Sequence, residues 1–135
     1  MTLTSTGGGL EAVPAGAACD PAVYVYTVDF TAQSLAANTC TLNGDWSDPA
    51  NYAASAVVVP LGPNQWASVQ AAVAAVTVSD GNGCGADAPS RNLVVAKSSA
   101  SITYGDDFYI CLKQYSQYVS YDDLYQLETT LSAIP

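Results

Sequence analysis

Hydrophobic residues in the first half of the chain alternate with the two-residue spacing of a β-strand. Over residues 22–30, valines occupy one parity and tyrosines the other, until Val28 joins the tyrosine side. β-Branched and aromatic residues in this pattern predict a strand. The valines of residues 56–61 predict another, which ends at Pro60 or lies at a sheet edge because proline has no N–H to donate. Residues 31–42 indicate neither a helix nor a strand.

The second half of the chain contains three further short apolar runs separated by turn residues. Residues 93–96, 100–104 and 108–112 each predict a strand, and Gly105-Asp106 between the last two predicts a tight turn. The glycine- and aspartate-rich stretch 79–90 predicts a loop. Together with the strands above, these runs indicate a mostly antiparallel sheet of about five or six strands.

Residues 63–76 have the three- and four-residue spacing of an alanine-rich helix in the centre of the chain. Pro63 suits the first helical position, and the apolar side chains that follow recur at helical steps. A strand over residues 69–78 is the competing prediction, because valine and threonine favour β structure. The helical apolar positions are Trp66, Val69, Val73 and Val76.

Residues 121–132 predict a C-terminal amphipathic helix. Ser120 and Asp123 have the spacing of a capping box, and acidic residues in the first turn suit the helix dipole. The apolar stripe of this helix must be buried against the sheet, which predicts an α+β domain. The stripe consists of Leu124, Leu127 and Leu131.

The first 21 residues have little hydrophobic periodicity and are rich in glycine, alanine, threonine and proline. They predict a flexible N-terminal arm over residues 1–21, ahead of a single α+β domain over residues 22–135. Such an arm either frays or becomes ordered against a neighbouring subunit. Its leucines, Leu3 and Leu10, are the candidate contact residues.

Charged residues are scarce and mostly acidic. The chain has 12 acidic and 3 basic side chains, a net charge of −9 and no histidine, and only 11% of its residues are charged. Three basic residues do not neutralise a nucleic-acid backbone, so a nucleic-acid partner is not expected. Histidine and a Gly-x-Ser-x-Gly elbow are both absent, so the sequence predicts no catalytic residues, no cofactor and no enzymatic activity.

The string Tyr104-Gly105-Asp106-Asp107 resembles the metal-binding motif of viral RNA-dependent RNA polymerases. In that motif, paired carboxylates on a hairpin hold divalent metals for phosphoryl transfer. The chain lacks the further aspartates, the basic residues and the length of a polymerase. We therefore interpret the string as a hairpin turn.

Two acidic loops are considered as calcium sites. The first contains Asp80, Asn82 and Asp87, but Cys84 and Arg91 stand where an EF-hand needs an oxygen ligand and a glutamate. An EF-hand is therefore excluded. The remaining alternatives are a looser calcium site and a plain solvated loop, and we assign no metal site. In the second loop the tryptophan either stacks on a sugar ring or covers the loop. That loop contains Asp45, Trp46 and Asp48.

The cysteines are Cys19, Cys40, Cys84 and Cys111. They form no Cys-x-x-Cys pair, which argues against a zinc site. An even number allows two disulfides in any pairing, and the alternative is four buried thiols. Both alternatives stay open at this point, because the chain begins without a secretory signal peptide and reducing cytosol disfavours disulfides.

No membrane partner is expected. The longest apolar tract, residues 69–78, is shorter than the roughly 20 residues that cross a bilayer. We expect synthesis in the cytoplasm, followed by residence in a virion or in another extracellular assembly, where disulfides form after release.

Four of the nine tyrosines are grouped near the C-terminus. If that stretch is helical, their spacing of three and four residues places them on one face. Tyrosine is enriched at protein interfaces, and the alternative role is a half-buried layer over the sheet. These interface candidates are Tyr115, Tyr118, Tyr121 and Tyr125.

Scarce charge, the arm and the tyrosines together favour assembly over catalysis. A charge trapped at an interface costs several kcal/mol to desolvate unless it is paired, and a surface of small neutral residues avoids that penalty. The expected function is a non-enzymatic structural subunit, such as a virion capsid decoration protein, bound to copies of itself or to a major shell subunit. The alternative is an extracellular disulfide-linked β-rich module that binds calcium or carbohydrate.

Overall fold

An eight-stranded β-sheet forms the centre of the structure. The computed structural model describes residues 1–7, 12–81, 84–85 and 88–135. The strands in chain order are β1 (Thr2–Thr6), β2 (Val23–Asp29), β3 (Ser34–Leu42), β4 (Tyr52–Pro60), β5 (Val78–Ser79), β6 (Ser90–Lys97), β7 (Ala100–Asp106) and β8 (Gln117–Val119). Their order across the sheet is β4-β3-β2-β1-β6-β7-β8-β5. Neighbouring strands are antiparallel, except that β7 and β8 are parallel.

The α+β class and the mostly antiparallel sheet are confirmed, but the prediction of about five or six strands is wrong, because the sheet has eight. Two of the additional strands, β5 and β8, have only two and three residues, too few to produce a recognisable alternation. Another is β3, for which the sequence pattern indicates no element. The last is β1, at the N-terminus.

Thr2–Thr6 form a strand of the sheet, so the flexible arm predicted over residues 1–21 is wrong for these residues. β1 lies between β2 and β6 and pairs with both. Leu3 is fully buried, and the N-terminal amine donates a hydrogen bond to the carbonyl of Val28 at 2.9 Å. A strand of five residues, four of them threonine or serine, has little hydrophobic signal of its own. Its position depends on the strands on both sides.

Helices α1 (Pro63–Ala74) and α2 (Tyr121–Ser132) lie close to the positions that the sequence predicts. The competing strand over residues 69–78 does not form, apart from the short β5. The side chain of Ser120 accepts a hydrogen bond from the N–H of Asp123 at 3.4 Å, which caps the start of α2. In the described ranges no helix is long and apolar enough to cross a membrane.

The hydrophobic core lies between one face of the sheet and the two α-helices. The leucine stripe of α2 is fully buried, as is Val69 of α1. From the sheet, β1, β2, β3 and β6 each contribute alternate side chains to the same layer. The core residues are Leu3, Tyr26, Val28, Leu35, Leu61, Val69, Leu93, Val119, Leu124, Leu127 and Leu131.

The region around Gly105 differs from the prediction. β7 continues to Asp106, so the tight turn predicted at Gly105-Asp106 does not form. The tight turn of β7 is the one that joins it to β6, between Lys97 and Ala100. Residues 108–112, predicted to be a strand, instead lie in a 3-10 helix, Asp107–Leu112, which has a kink at Tyr109. The place beside β7 is taken by β8, so residues 107–112 have no strand of the sheet to pair with.

Candidate interaction surface

One face of the sheet is not covered by α1 or α2, and we call it the open face. Side-chain alternation places small neutral residues on it, mainly threonine, valine, alanine and asparagine. The same alternation places the charged residues of β6 and β7 on the helix-covered side, while Asp29 lies at the rim. Within the described strands the centre of the open face is therefore uncharged. It includes Thr2, Thr4, Val25, Thr27, Asn38 and Ala56.

The outer edge of β4 is the longest exposed edge of the sheet. β4 has nine residues, none of them charged, and residues 53–58 are all exposed. Val58 is 70% exposed and Val57 is 50% exposed. The register with β3 runs without a bulge from Leu42–Tyr52 to Ser34–Pro60. Proteins usually protect such an edge with lysine, an internal proline or a bulge, because its free N–H and C=O groups can pair with another strand.

The opposite edge of the sheet is short. β5 has only two residues, and its one neighbour in the sheet is β8. A strand of this length offers few free N–H and C=O groups for pairing. Very short edge strands are a common way of protecting the edge of a sheet. The two edges are therefore unequal, and the long, uncharged one is β4.

An apolar groove lies beside β4 on the helix-covered side of the sheet. It has a volume of about 220 Å³ between the end of α2 and strands β2, β3 and β4. α2 covers the centre of the sheet and leaves the β4 margin open. The groove is lined by Tyr26, Leu35, Val57, Val59, Leu131 and Ile134.

Trp46 lies in the loop between β3 and β4 and is 57% exposed. It borders a second apolar groove of about 290 Å³, which Leu42, Tyr52 and Pro21 also line. The hydroxyl of Tyr52 donates a hydrogen bond to the Trp46 carbonyl at 2.6 Å, which holds the loop against the sheet. The indole therefore neither lies in the core nor fully covers the loop.

The cysteines form two disulfides, Cys19–Cys40 and Cys84–Cys111. The alternative of four buried thiols is therefore wrong. Cys111 in particular is exposed and lies in the 3-10 helix, not inside a strand. The first disulfide links the segment before β2 to β3, with Cα atoms 5.7 Å apart. The second links the loop before β6 to the 3-10 helix, with Cα atoms 5.2 Å apart.

The four candidate tyrosines do not share one face, which corrects the prediction from their spacing. Tyr118 lies in β8 and is buried, and Tyr115 precedes the strand. The two rings pack edge to face, and the Tyr115 N–H donates to the Tyr118 hydroxyl at 3.1 Å. Both rings lie against the backbone of Gly105.

Tyr121 and Tyr125 lie on α2, around the buried guanidinium of Arg91. The guanidinium carbon is 5.2 Å from the Tyr121 ring centroid and 5.3 Å from that of Tyr125. Arg91 is 5% exposed and forms an ion pair with Glu128. Burial opposes the charged form of Arg91, but Glu128 and Tyr121 outweigh it and raise the arginine pKa. Tyr125 is half exposed and is the most exposed of the four candidate tyrosines.

Asp106 lies beside this ion pair and is 2% exposed. Its Oδ2 accepts a hydrogen bond from the main-chain N–H of Arg91 at 2.6 Å, and its Oδ1 has no hydrogen-bond partner among the described residues. Burial raises the pKa of Asp106, although the hydrogen bond and charge of Arg91 oppose the rise. The carboxylate predicted to be in a solvated turn is therefore part of the interior.

Leu3 and Leu10 were the contact candidates of the predicted arm. Leu3 is in the core, so its side chain is not available to a neighbouring subunit. Leu10 lies outside the described residues.

In the loop between β3 and β4, aspartate side chains accept hydrogen bonds from residues two positions further along the same loop. Asp45 Oδ1 accepts from the Ser47 N–H and hydroxyl, and Asp48 Oδ1 accepts from the Ala50 N–H. Of the other loop, Asn82 and Asp87 lie outside the described residues. In the part of the chain that the structure describes, no three acidic or cysteine side chains meet as a metal-binding group.

Apart from Pro60, which indicates a strand end or a sheet edge, the sequence carries no signal for the free edge of β4. That edge, the open face and the two grooves are the parts of the described structure suited to protein contacts or to a flat ligand, and the groove beside β4 lies on the opposite side of the sheet from the open face. Neither a protein-family model, nor a curated protein, nor a solved structure matches this chain.

Proposed function

We propose that this protein is a non-enzymatic structural subunit that acts through contacts with other protein chains. The observation that carries the proposal is the unprotected β4 edge, nine uncharged residues long. An exposed edge of this kind adds strands from another chain by main-chain hydrogen bonds.

The distribution of charge supports the same proposal. The chain has a net charge of −9, which keeps free subunits apart and in solution. The strand residues at the centre of the open face and of the β4 edge carry no charge, and the acidic Asp20, before β2, lines a pocket beside Ala54 and Ala56. Contacts made by these strand residues do not trap unpaired charges, which cost several kcal/mol to desolvate.

The narrower form of the proposal is a coat or decoration subunit of a virion. Such a subunit binds copies of itself or a major shell protein, with no nucleic acid and no membrane as partner. Disulfides that form after release from the cell are compatible with residence in an extracellular particle.

The first test is the solution mass of the untagged protein, measured by light scattering over a range of concentrations, with and without a reductant. We expect a discrete oligomer or reversible larger particles under oxidising conditions. A strict monomer at every concentration would contradict self-assembly.

A second candidate function, a carbohydrate-binding module, is favoured by one observation. Trp46 is largely exposed beside an apolar groove of about 290 Å³. Aromatic rings in such positions stack on the apolar faces of sugars. Soluble glucan and chitin oligosaccharides should then change the tryptophan fluorescence of the wild type and leave that of Trp46→Ala unchanged. Trp66, which packs edge to face on Phe30, provides the constant background.

A further inference from the structure

We infer that two copies of this chain pair through β4, antiparallel, about a twofold axis that passes beside Ala56. The inference rests on the proposed function and specifies its partner and contact. The two sheets would join into one continuous sheet with the helices of both copies on the same side.

The first step is the direction of the β4 backbone groups. The Leu61 N–H donates to the Gln33 carbonyl and the Asn43 N–H donates to the Asn51 carbonyl, both at 2.8 Å. In an antiparallel ladder the residues of one strand alternate between bonding inward and pointing outward. The odd-numbered residues of β4 therefore bond to β3. The N–H and C=O groups of Ala54, Ala56 and Val58 point away from the sheet.

The second step is the symmetry of the free donors. Pro60 has no N–H, and the N–H of Tyr52 is bonded to the Pro49 carbonyl of its own chain. The outward donors of β4 are thus Ala54, Ala56 and Val58, a set centred on Ala56. A twofold contact requires a patch that is complementary to itself. With Ala56 opposite its own copy and Ala54 opposite Val58, each of these donors meets a carbonyl.

The third step is the fit of the side chains. On the open face the pairs are Ala56 with Ala56 and Ala54 with Val58, all small enough to lie side by side. On the other face Val57 of one copy meets Ser55 of the other. Neither β3 nor β4 contains a charged residue, so the strands that meet are themselves uncharged, and Asp20 is the acidic residue that lines a pocket beside Ala54 and Ala56.

The fourth step is the groove between α2 and β4. Val57 and Val59 line it, together with Leu131 and Ile134 at the end of the chain. In the paired arrangement the grooves of both copies lie on the same side of the joined sheet, at the contact. The partner then covers apolar side chains that one copy leaves open to water, which adds a hydrophobic contribution to the main-chain hydrogen bonds.

The experiment uses charges at position 56 of the full-length, disulfide-bonded chain, with sedimentation as readout. Ala56→Lys and Ala56→Glu each place two like charges opposite one another across the axis. Like charges directly opposite in a sheet are destabilising. We expect each variant alone to dissociate at least roughly tenfold more readily than wild type, and an equimolar mixture to recover the dimer as a Lys–Glu pair.

The matched control is Ala96→Lys, the same substitution at an exposed position of β6, away from the edge. It should remain dimeric, and circular dichroism should show that every variant keeps the wild-type fold. Recovery in the mixture, together with a dimeric control, supports the inferred axis. Variants that are monomeric both alone and mixed overturn it, as does a control that dissociates equally.

The remaining outcomes separate this inference from the proposed function. A wild type that associates, but is unaffected by charge at position 56, overturns the β4 pairing and leaves the assembly function with another surface. A wild type that is monomeric at all concentrations overturns both the pairing and self-assembly.

Discussion

Gly105 shows how one residue depends on distant neighbours. A Cβ added there would lie 2.3 Å from Cδ2 of Tyr115 and 3.0 Å from Cε1 of Tyr118. The first distance is too short for a real contact and the second is unusually tight, so a larger residue must displace the Tyr115 ring. Glycine is needed here for space, and not for the turn that its neighbourhood in the sequence suggests.

We therefore predict that Gly105→Ala lowers the free energy of unfolding by about 1–3 kcal/mol, the usual cost of overpacking. Urea unfolding measures the change. The control is Gly62→Ala, whose Cβ would meet only Gln65 Oε1 at 3.5 Å, an ordinary contact, and should have a smaller effect. Equal stability of Gly105→Ala and wild type would show that the tyrosines do not pack on this position.

The raised pKa of Asp106 predicts how the stability of the fold depends on pH. Burial raises its pKa above the ordinary value of 3.8, so the folded state holds the proton more tightly than the unfolded state. The contribution of this group to stability is then present at low pH and is lost as the pH rises from 3.8 through the raised pKa. We predict that the stability of wild type relative to Asp106→Asn falls over that window.

The measurement is urea unfolding of both proteins between pH 3 and 7. Subtracting the Asp106→Asn curve removes the other carboxylates, including Asp45, whose pKa is lowered by hydrogen bonds from Ser47. A relative stability that rises with pH would mean that hydrogen bonding to Arg91 outweighs burial.

At the scale of elements, the Cys19–Cys40 disulfide connects the segment before β2 to β3. The segment has no strand or helix of its own over residues 12–21. The linked cysteines are 21 positions apart, and disulfides closing loops of this size typically stabilise by about 2–4 kcal/mol. Pro21 and Ala22, which follow the disulfide, line the Trp46 groove.

We predict that the double variant Cys19→Ala, Cys40→Ala loses about 2–4 kcal/mol of stability. Amide hydrogen exchange should also become faster over residues 12–21. The matched control is Cys84→Ala, Cys111→Ala, which removes the other disulfide and should leave exchange in that segment unchanged. Unchanged exchange in both double variants would show that the segment is held by contacts other than the disulfide.

The helices and strands differ in how well the sequence predicts them. α1 and α2 have enough turns for their periodicity to stand out, and both lie near the expected positions. β2, β4, β6 and β7 coincide with apolar runs. The 3-10 helix at Asp107–Leu112 alternates like a strand, and only the presence of β8 beside β7 excludes it from the sheet.

For the whole molecule, the proposed self-association sets long-range charge repulsion against the uncharged β4 edge. Each chain has a net charge of −9, so two copies repel one another at long range. Salt reduces this repulsion, because charges separated by more than about 8 Å are largely screened at physiological ionic strength. The main-chain hydrogen bonds of the proposed β4 pair are much less sensitive to salt.

We therefore predict that self-association becomes stronger as sodium chloride is raised from low to physiological concentration and beyond. Sedimentation at several protein concentrations measures the dissociation constant at each salt concentration. A dissociation constant that increases with salt would contradict a neutral contact and would indicate opposite charges across the interface.

Residue patterns and composition alone establish the α+β class, the two α-helices, four of the eight described strands and the scarcity of charge. These features depend on residues near one another in the chain, where periodicity and composition are directly visible. Four other features follow from the folded arrangement alone: Thr2–Thr6 is a central strand, Cys19 pairs with Cys40, Arg91 is buried with Glu128, and β4 is a free edge. Each of these depends on contacts between segments far apart in sequence, and hydrophobic spacing within one segment carries no information about its partner.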